Sequence, residues 1–180
     1  MVEEIIAFNK QFVENKGYEK YITNKYPDKK LAILSCMDTR LTELLPAALG
    51  LRNGDAKIIK NAGAVISHPI GRVIRSVLVA ISERGVEEIM VIAHSDCGAH
   101  HMDSEEILER MKARGIREDL IDMIHFCGVD FHSWLGGFDD TEKSVCETVD
   151  SIIRHPLIPS DVRVHGFIID SLTGKLTQIV

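Results

Sequence analysis

The sequence has no apolar run long enough to cross a membrane, and its start lacks the features of a secretory signal. Met1-Val2-Glu3-Glu4 carries two acids where a signal has a basic start followed by an apolar stretch. Positive charge is also in short supply, since 27 acidic residues outnumber 21 lysines and arginines. Acidic proteins repel phosphate, so neither nucleic acid nor an anionic membrane is an expected partner. We therefore expect a cytoplasmic protein whose partner is a small molecule.

Cysteine is scarce as well, and its pattern does not suggest disulfides. Four cysteines in 180 residues without a signal are expected to be free thiols or metal ligands. The sequence shows no internal repeat and no low-complexity tract. Its length suits a single compact domain. We predict one domain over residues 1–180, in which residues 1–30 form an N-terminal helical arm.

Short apolar runs alternate with helical patterns through the first half of the chain. Strands are predicted from Leu31 onwards and over 57–61 and 88–93, with helices at 42–49 and 70–81 between them. This strand and helix order predicts a parallel sheet with right-handed crossovers. The remaining predicted segments are a helix over 5–13, helices at 104–114 (capped by Ser104), 118–126 and 140–154, a loop at 131–138, and strands at 162–170 and 175–180. The fold class is therefore α/β, a central, mostly parallel sheet flanked by helices with a C-terminal hairpin-like edge.

Reactive side chains follow two of the predicted strands. Cys36, Asp38 and Arg40 come at the end of the first strand, and His94 and Cys97 at the end of the third. Because parallel strands point their carboxyl ends the same way, the two groups are expected to meet in space. Two thiolates and one imidazole suit Zn²⁺, and three protein ligands leave a fourth position for water. The sequence thus predicts a catalytic rather than a structural zinc site.

Several polar and small residues near these motifs could also take part in the site, and some of them have two interpretations. His100 and His101 could ferry protons, or they could be solvated residues at a helix entry. Asp96 could bond near the metal or only shape the turn between its ligands. The Asn61-Ala62-Gly63 turn would let the backbone approach a ligand closely, and Gly98 is expected to have a φ or a space that a side chain would forbid.

The remaining cysteines, histidines and the tryptophan are expected to have structural roles. Cys127 and Cys146 are predicted to be small core hydrophobes. Trp134 is expected to pack internally or at an interface. No functional role is assigned to the other histidines, which are His68, His125, His132, His155 and His165.

Three motifs together resemble the beta-class carbonic anhydrases, in their small, compact branch. They are Cys36-Met37-Asp38-Thr39-Arg40, Asn61-Ala62-Gly63 and His94-Ser95-Asp96-Cys97-Gly98, and the closing segment over 166–176 is also similar. The resemblance implies reversible hydration of carbon dioxide to bicarbonate. It implies one Zn²⁺ per subunit on Cys36, His94 and Cys97, an Asp38–Arg40 dyad, and a homodimer or a multiple of it such as a tetramer.

The charges of the site suggest how such a dyad would work. Two thiolates neutralise Zn²⁺ formally, so the metal acidifies its water less than a three-histidine site does. Asp38 could accept a hydrogen bond from the zinc-bound hydroxide, with Arg40 keeping that carboxylate ionised. Alternatively, Asp38 could become the fourth zinc ligand and close the site. Two other functions remain open, which are hydrolysis of a relative such as carbon disulfide and a non-enzymatic zinc or thiol module.

Overall fold

A five-stranded sheet forms the centre of the computed structural model, which describes residues 1–180. Its strands are β1 (Leu31–Cys36), β2 (Ala56–Asn61), β3 (Glu88–His94), β4 (Arg163–Ile169) and β5 (Leu176–Gln178). The spatial order is β2-β1-β3-β4-β5, and every pair is parallel except the antiparallel β4–β5 pair. The predicted α/β class, with its parallel sheet and hairpin-like edge, is confirmed.

Seven helices surround or extend from this sheet. They are α1 (Val2–Glu14), α2 (Leu44–Ala48), α3 (Arg72–Arg84), α4 (Ser104–Ala113), α5 (Glu118–Phe126), α6 (Phe131–Leu135) and α7 (Thr141–Ile153). Helix α3 ends where Gly85 adopts the left-handed conformation, at a φ of 68°. No helix is both long and apolar enough to span a bilayer.

The strands are held by apolar packing on both faces of the sheet. Five of the six residues of β1 are buried, as expected for a central parallel strand. One face packs against α3 and α7 through a cluster that includes Ile74, Val77 and Val149. The other face packs against a cluster that includes Leu41 and Leu45, and this second cluster also contains Cys36 and Cys97. The thiols are therefore part of the core at the carboxyl edge of the sheet.

The strand register brings the predicted reactive residues to one edge. Ser35 of β1 pairs with Ile92 of β3, so Cys36 and His94 both lie just beyond this last pair. On the other side of β1, Cys36 pairs with Asn61 at the end of β2. Parallel pairing thus places three strand ends side by side, where ligands bind in open α/β sheets.

Some helix boundaries differ from the predictions because of local capping. The predicted helix at 42–49 is a short 3₁₀ turn, Thr39–Leu41, followed by α2. The chain turns early because the Asp38 carboxylate accepts a hydrogen bond from the Arg40 N–H. Ser104 does not cap α4: it is buried, and the Asp103 carboxylate accepts from the Glu105 N–H instead.

Later in the chain, the predicted loop at 131–138 contains α6. This helix is capped by the Asp130 carboxylate, which accepts from the His132 N–H. The last two strands are shorter than predicted because the Asp170 carboxylate accepts hydrogen bonds from the N–H groups of Leu172 and Thr173 and closes a turn there. These differences leave the sheet order unchanged.

Helix α1 is unusual because none of its residues is buried. Most of its large apolar side chains, among them Ile5, Phe8 and Val13, are more than half exposed. An amphipathic helix normally buries its apolar stripe. The contacts that would cover α1 are therefore absent within a single chain.

Candidate metal centre

Three buried side chains converge at the carboxyl edge of the sheet. Cys36 ends β1, His94 ends β3, and Cys97 follows in the next turn. Their ligand atoms all lie within 4.8 Å of one another, and the two sulfurs are 3.8 Å apart. The structure therefore brings together the three residues that the sequence proposes as metal ligands.

The imidazole of His94 has the tautomer and the free nitrogen that a metal needs. Its Nδ1 lies 2.9 Å from the Ser95 carbonyl, which can only accept, so Nδ1 carries the proton. Its Nε2 is buried and has no hydrogen-bond partner. An unpaired buried nitrogen is costly in a folded protein unless something else binds it. The Nε2 lone pair is thus available as a ligand.

The two sulfurs are supported by backbone donors. The Gly63 N–H donates to Cys36 Sγ over 3.4 Å, and the Ala99 N–H donates to Cys97 Sγ over 3.5 Å. The hydrogen bond from the Cys97 thiol lowers the pKa of Cys36, and the same bond raises the pKa of Cys97, which keeps its proton. One thiolate is already favoured, and a metal would displace the second proton. This donor set fits Zn²⁺ with one position left open.

Asp38 and Arg40 form a bidentate ion pair beside the cluster. The Arg40 Nε donates to Asp38 Oδ1 over 3.0 Å, and an Arg40 terminal nitrogen donates to Asp38 Oδ2 over 2.8 Å. These bonds hold the pKa of the Asp38 carboxyl well below its usual range. Asp38 Oδ2 is also 3.8 Å from His94 Nε2, so the carboxylate is directed at the candidate metal position.

A cavity of about 390 Å³ opens over this site. It is lined by Cys36, Met37, Asp38, Thr39, Ala62, Gly63, Gly98, Ala99 and Met102. Most of these side chains are small or apolar, and Asp38 is the single charged residue among them. A small uncharged molecule could reach the metal position through it.

Comparisons with known proteins agree with this geometry. A sequence model of the carbonic anhydrase family matches residues 31–176. YtiB of Bacillus subtilis (strain 168), a protein assigned provisionally to the carbonic anhydrases by its name, is 55% identical over 180 residues, which cover 100% of this chain and 96% of YtiB. The crystal structure of beta-carbonic anhydrase isoform I from Trichomonas vaginalis superposes with a TM-score of 0.92 at 33% identity, covering 100% of this chain and 97% of that one.

The chain belongs to the beta-carbonic anhydrase family. The resemblance carried by the three motifs is confirmed. The chain is also similar to a carbon disulfide hydrolase of Acidithiobacillus thiooxidans, with 32% identity over 158 residues that cover 83% of this chain and 76% of the relative. The family thus includes proteins named for two different substrates.

The residues around the cluster have distinct roles. The Asn61 side chain donates to the Val65 carbonyl over 2.6 Å and so fixes the turn after β2. Gly63 in that turn has a φ of 83°, which explains the need for glycine. Gly98 shows neither feature predicted for it, since its φ is not positive and a Cβ there would meet nothing within 4 Å. That expectation is wrong: Gly98 borders the open cavity.

Arg40 has two further hydrogen-bond partners, Asp96 and Ser171. Only Asp96 belongs to one of the three sequence motifs. Asp96 binds the guanidinium through its side chain and its carbonyl. Asp96 therefore acts on Arg40 and shapes the turn, with a φ of 53°. Ser171 also accepts from Arg40, although 131 residues separate them. No motif marks Ser171, because it lies in the turn between β4 and β5.

The structure brings His100 and His101 together, with their ring centroids 3.8 Å apart. Their rings form hydrogen bonds to Asp139 and not to the sulfurs of the cluster. His101 Nδ1 is 3.0 Å from a carboxylate oxygen of Asp139, and His100 Nε2 is 3.0 Å from the Asp139 carbonyl. Both rings are exposed. Proton transfer through either histidine stays a prediction.

Cys127 and Cys146 lie outside the cluster, and both are exposed. The prediction that they are core hydrophobes is wrong. Helix α7 turns the neighbouring Val145 and the later Val149 inward, which leaves Cys146 on the outer face. Cys127 follows the end of α5 at the surface. By contrast, the ring of His155 is buried, and it bonds the Pro69 carbonyl in a structural role.

Proposed function

We propose that this protein hydrates carbon dioxide reversibly to bicarbonate and a proton, with Zn²⁺ held by Cys36, His94 and Cys97. The observation that carries the proposal is the Asp38–Arg40 pair aimed at the cluster. A metal held for stability alone needs no such pair, and its stable form has a fourth protein ligand. The pair and the open position are what a reaction at the metal requires.

The chain's own residues would divide the work in the following way. Zinc, when bound, supplies a Lewis acid that lowers the pKa of water in the open position. Asp38, held ionised by Arg40, can only accept hydrogen bonds. Its Oδ2 would accept a hydrogen bond from the O–H of the attacking oxygen and so turn a lone pair of that oxygen toward the substrate. The mostly apolar cavity suits carbon dioxide better than it suits an ion.

Arg40 determines whether Asp38 can do this. As long as the guanidinium holds both carboxylate oxygens, Asp38 is a hydrogen-bond acceptor rather than a ligand. If Arg40 turned away, the carboxylate could take the fourth position on the metal and close the site. We propose the first arrangement as the working one, since it is the one in which the pair is formed.

The proposal is tested by zinc analysis of the purified protein and stopped-flow carbon dioxide hydration over a range of pH. Carbon disulfide is assayed in parallel by sulfide release, because relatives are named for that substrate. Zinc with carbon dioxide hydration supports the proposal. Activity on carbon disulfide alone would replace it with the hydrolase. Zinc-loaded protein inactive on both, even at alkaline pH, would indicate a non-enzymatic metal module.

We further propose that the protein works as a homodimer or a multiple of it, in which a second copy covers α1. The support is the exposed apolar face of that helix. Replacing Ile5 and Phe8 by glutamate should reduce the mass measured by light scattering after gel filtration. Adding the same charges at the exposed polar positions Asn9 and Gln11 is the matched control and should leave the mass unchanged. A wild-type monomer would refute this assembly.

A further inference from the structure

All five N–H groups of the Arg40 guanidinium are used. Two bind the Asp38 carboxylate, and the other three point to the far end of the site. These three reach Asp96 Oδ2 over 2.9 Å, the Asp96 carbonyl over 2.8 Å and Ser171 Oγ over 3.3 Å. Because a guanidinium is a rigid plane, fixing three donors also fixes the two that face Asp38.

Ser171 is a rigid anchor. The residue is 5% exposed, although it belongs to the turn between β4 and β5. Its N–H donates to Ser95 Oγ over 3.0 Å, and the two hydroxyl oxygens are 3.2 Å apart. Ser95 follows His94 in the chain, and the Ser95 backbone carbonyl accepts a hydrogen bond from His94 Nδ1. The Ser171 hydroxyl is thus tied to the segment that carries a metal ligand.

Asp96 holds the Arg40 guanidinium mainly through its backbone carbonyl. Its side chain is 87% exposed, so water and salt screen the ion pair with Arg40. Its carbonyl, however, is directed by a left-handed backbone at a φ of 53°, a conformation that non-glycine residues seldom adopt. Such backbone geometry persists where the surroundings hold it. The buried Ser171 hydroxyl and the Asp96 carbonyl are therefore the two firm supports of Arg40.

We propose that Ser171 is a positioning residue, which holds the Arg40 guanidinium against Asp38 through its hydroxyl and thereby keeps the carboxylate off the metal. Its effect on turnover rests on the proposed function, but its effect on Arg40 does not. The C-terminal β4–β5 turn then takes part in the active site from the other end of the sequence.

The test compares Ser171→Thr with Ser171→Val, which have nearly the same shape and differ in the hydroxyl. The first readout is the solvent exchange rate of the Arg40 Nε–H by NMR, assigned through its loss in Arg40→Lys. Losing one hydrogen bond should speed this exchange about 3- to 10-fold in Ser171→Val. Ser171→Thr should exchange like wild type. Leu172→Ala, an exposed neighbour in the same turn, is the control and should change nothing.

The second readout is kinetic. In Ser171→Val, kcat for carbon dioxide should fall about 3- to 10-fold, while KM and zinc content stay at wild-type values. Equal exchange rates and equal kcat in the Thr and Val variants would overturn the proposal. If both are too unstable to study, the smaller Ser171→Ala change decides in the same way against wild type. If the wild type hydrates no carbon dioxide, the proposed function fails, but the exchange rates still decide the role of Ser171.

Discussion

Asp38 Oδ2 and His94 Nε2 lie 3.8 Å apart, and the nitrogen is buried without a hydrogen-bond partner. A carboxylate at this distance from an unpaired imidazole nitrogen is close enough to touch whatever the nitrogen binds. The Arg40 guanidinium occupies both oxygens of the same carboxylate. The relationship places Asp38 between a proposed metal ligand and a fixed positive charge, and it makes Asp38 the first residue to test.

Replacing Asp38 by asparagine should impair turnover without loss of zinc. The amide keeps the shape but has one acceptor oxygen and no charge, so it orients the water poorly and loses the bidentate pair with Arg40. We expect kcat for carbon dioxide hydration to fall about 100-fold or more, with zinc content equal to wild type. Asp161→Asn, at an exposed acid far along the chain, serves as the control. Full activity in Asp38→Asn would disprove the assigned role.

Replacing Cys97 by serine should remove most of the zinc. A hydroxyl is a poor ligand for this metal, and even residues that only support a ligand are worth about 10- to 100-fold in affinity. We expect at least this loss, measured by competition with a chromogenic chelator. Cys127→Ser and Cys146→Ser make the same chemical change at exposed positions and should bind zinc normally. Zinc loss in these controls instead would place the metal elsewhere.

Removing the metal should lower thermal stability. A ligand present at 100 times its dissociation constant stabilises the folded state by about 2.7 kcal/mol. For a chain of this length, that corresponds to a fall in Tm of about 5–10 °C when a strong chelator is added. Readdition of Zn²⁺ should restore the Tm. The Cys97→Ser variant should show no chelator effect, and an equal shift there would mean that the chelator acts by another route.

Gly63 and Gly98 should respond differently to alanine. At Gly63 the φ of 83° is unfavourable for alanine, and a Cβ would lie 3.1 Å from Ala99 Cβ and 3.2 Å from a ring carbon of Phe138. We expect Gly63→Ala to lower the free energy of unfolding by about 1–2 kcal/mol in urea titrations. Gly98→Ala meets open space and should cost less than about 0.5 kcal/mol. Equal costs would contradict the structure of the turn after β2.

Asp170 should contribute to stability in a pH-dependent way. Hydrogen bonds from Thr173 and the Leu172 N–H hold the pKa of its carboxyl below the usual value. Because the folded pKa is lower than the unfolded one of about 3.9, the stabilisation is complete above that value. It is lost as pH falls through the folded pKa. Asp170→Asn should therefore be less stable than wild type at pH 7, and the difference should shrink toward pH 2 in urea titrations. A difference that stays constant over this range would contradict the assigned role of the carboxylate.

The parallel sheet and the meeting of the candidate metal ligands at its carboxyl edge were predictable, because both depend on strong local signals in the sequence. An apolar run with the length and composition of Leu31–Cys36 favours a buried strand, and parallel pairing then brings the carboxyl ends of such strands together. The first three strands and the meeting of Cys36 with His94 follow from this alone.

The features that the sequence did not predict depend on contacts between distant segments, or on which residues of a helix face the core. Ser171 reaches Arg40 through the pairing of β4 with β3, and no local pattern records that contact. On α7, a shift of one position separates the buried Val145 from the exposed Cys146, and likewise the buried Ile152 from Ile153, which is 55% exposed. The choice of Asp103 over Ser104 as a cap is likewise a matter of one residue.

The two sulfurs of the candidate metal centre belong to residues 61 positions apart, and the chain between them contains α2, β2, α3 and β3. A metal bound between Cys36 and Cys97 would therefore act as a cross-link that closes a long loop, as a disulfide does in a secreted protein. Without this cross-link, the ends of β1 and β3 are held by backbone pairing and packing alone. Amide hydrogen exchange at these strand ends should therefore be faster in the zinc-free protein than in the zinc-bound one.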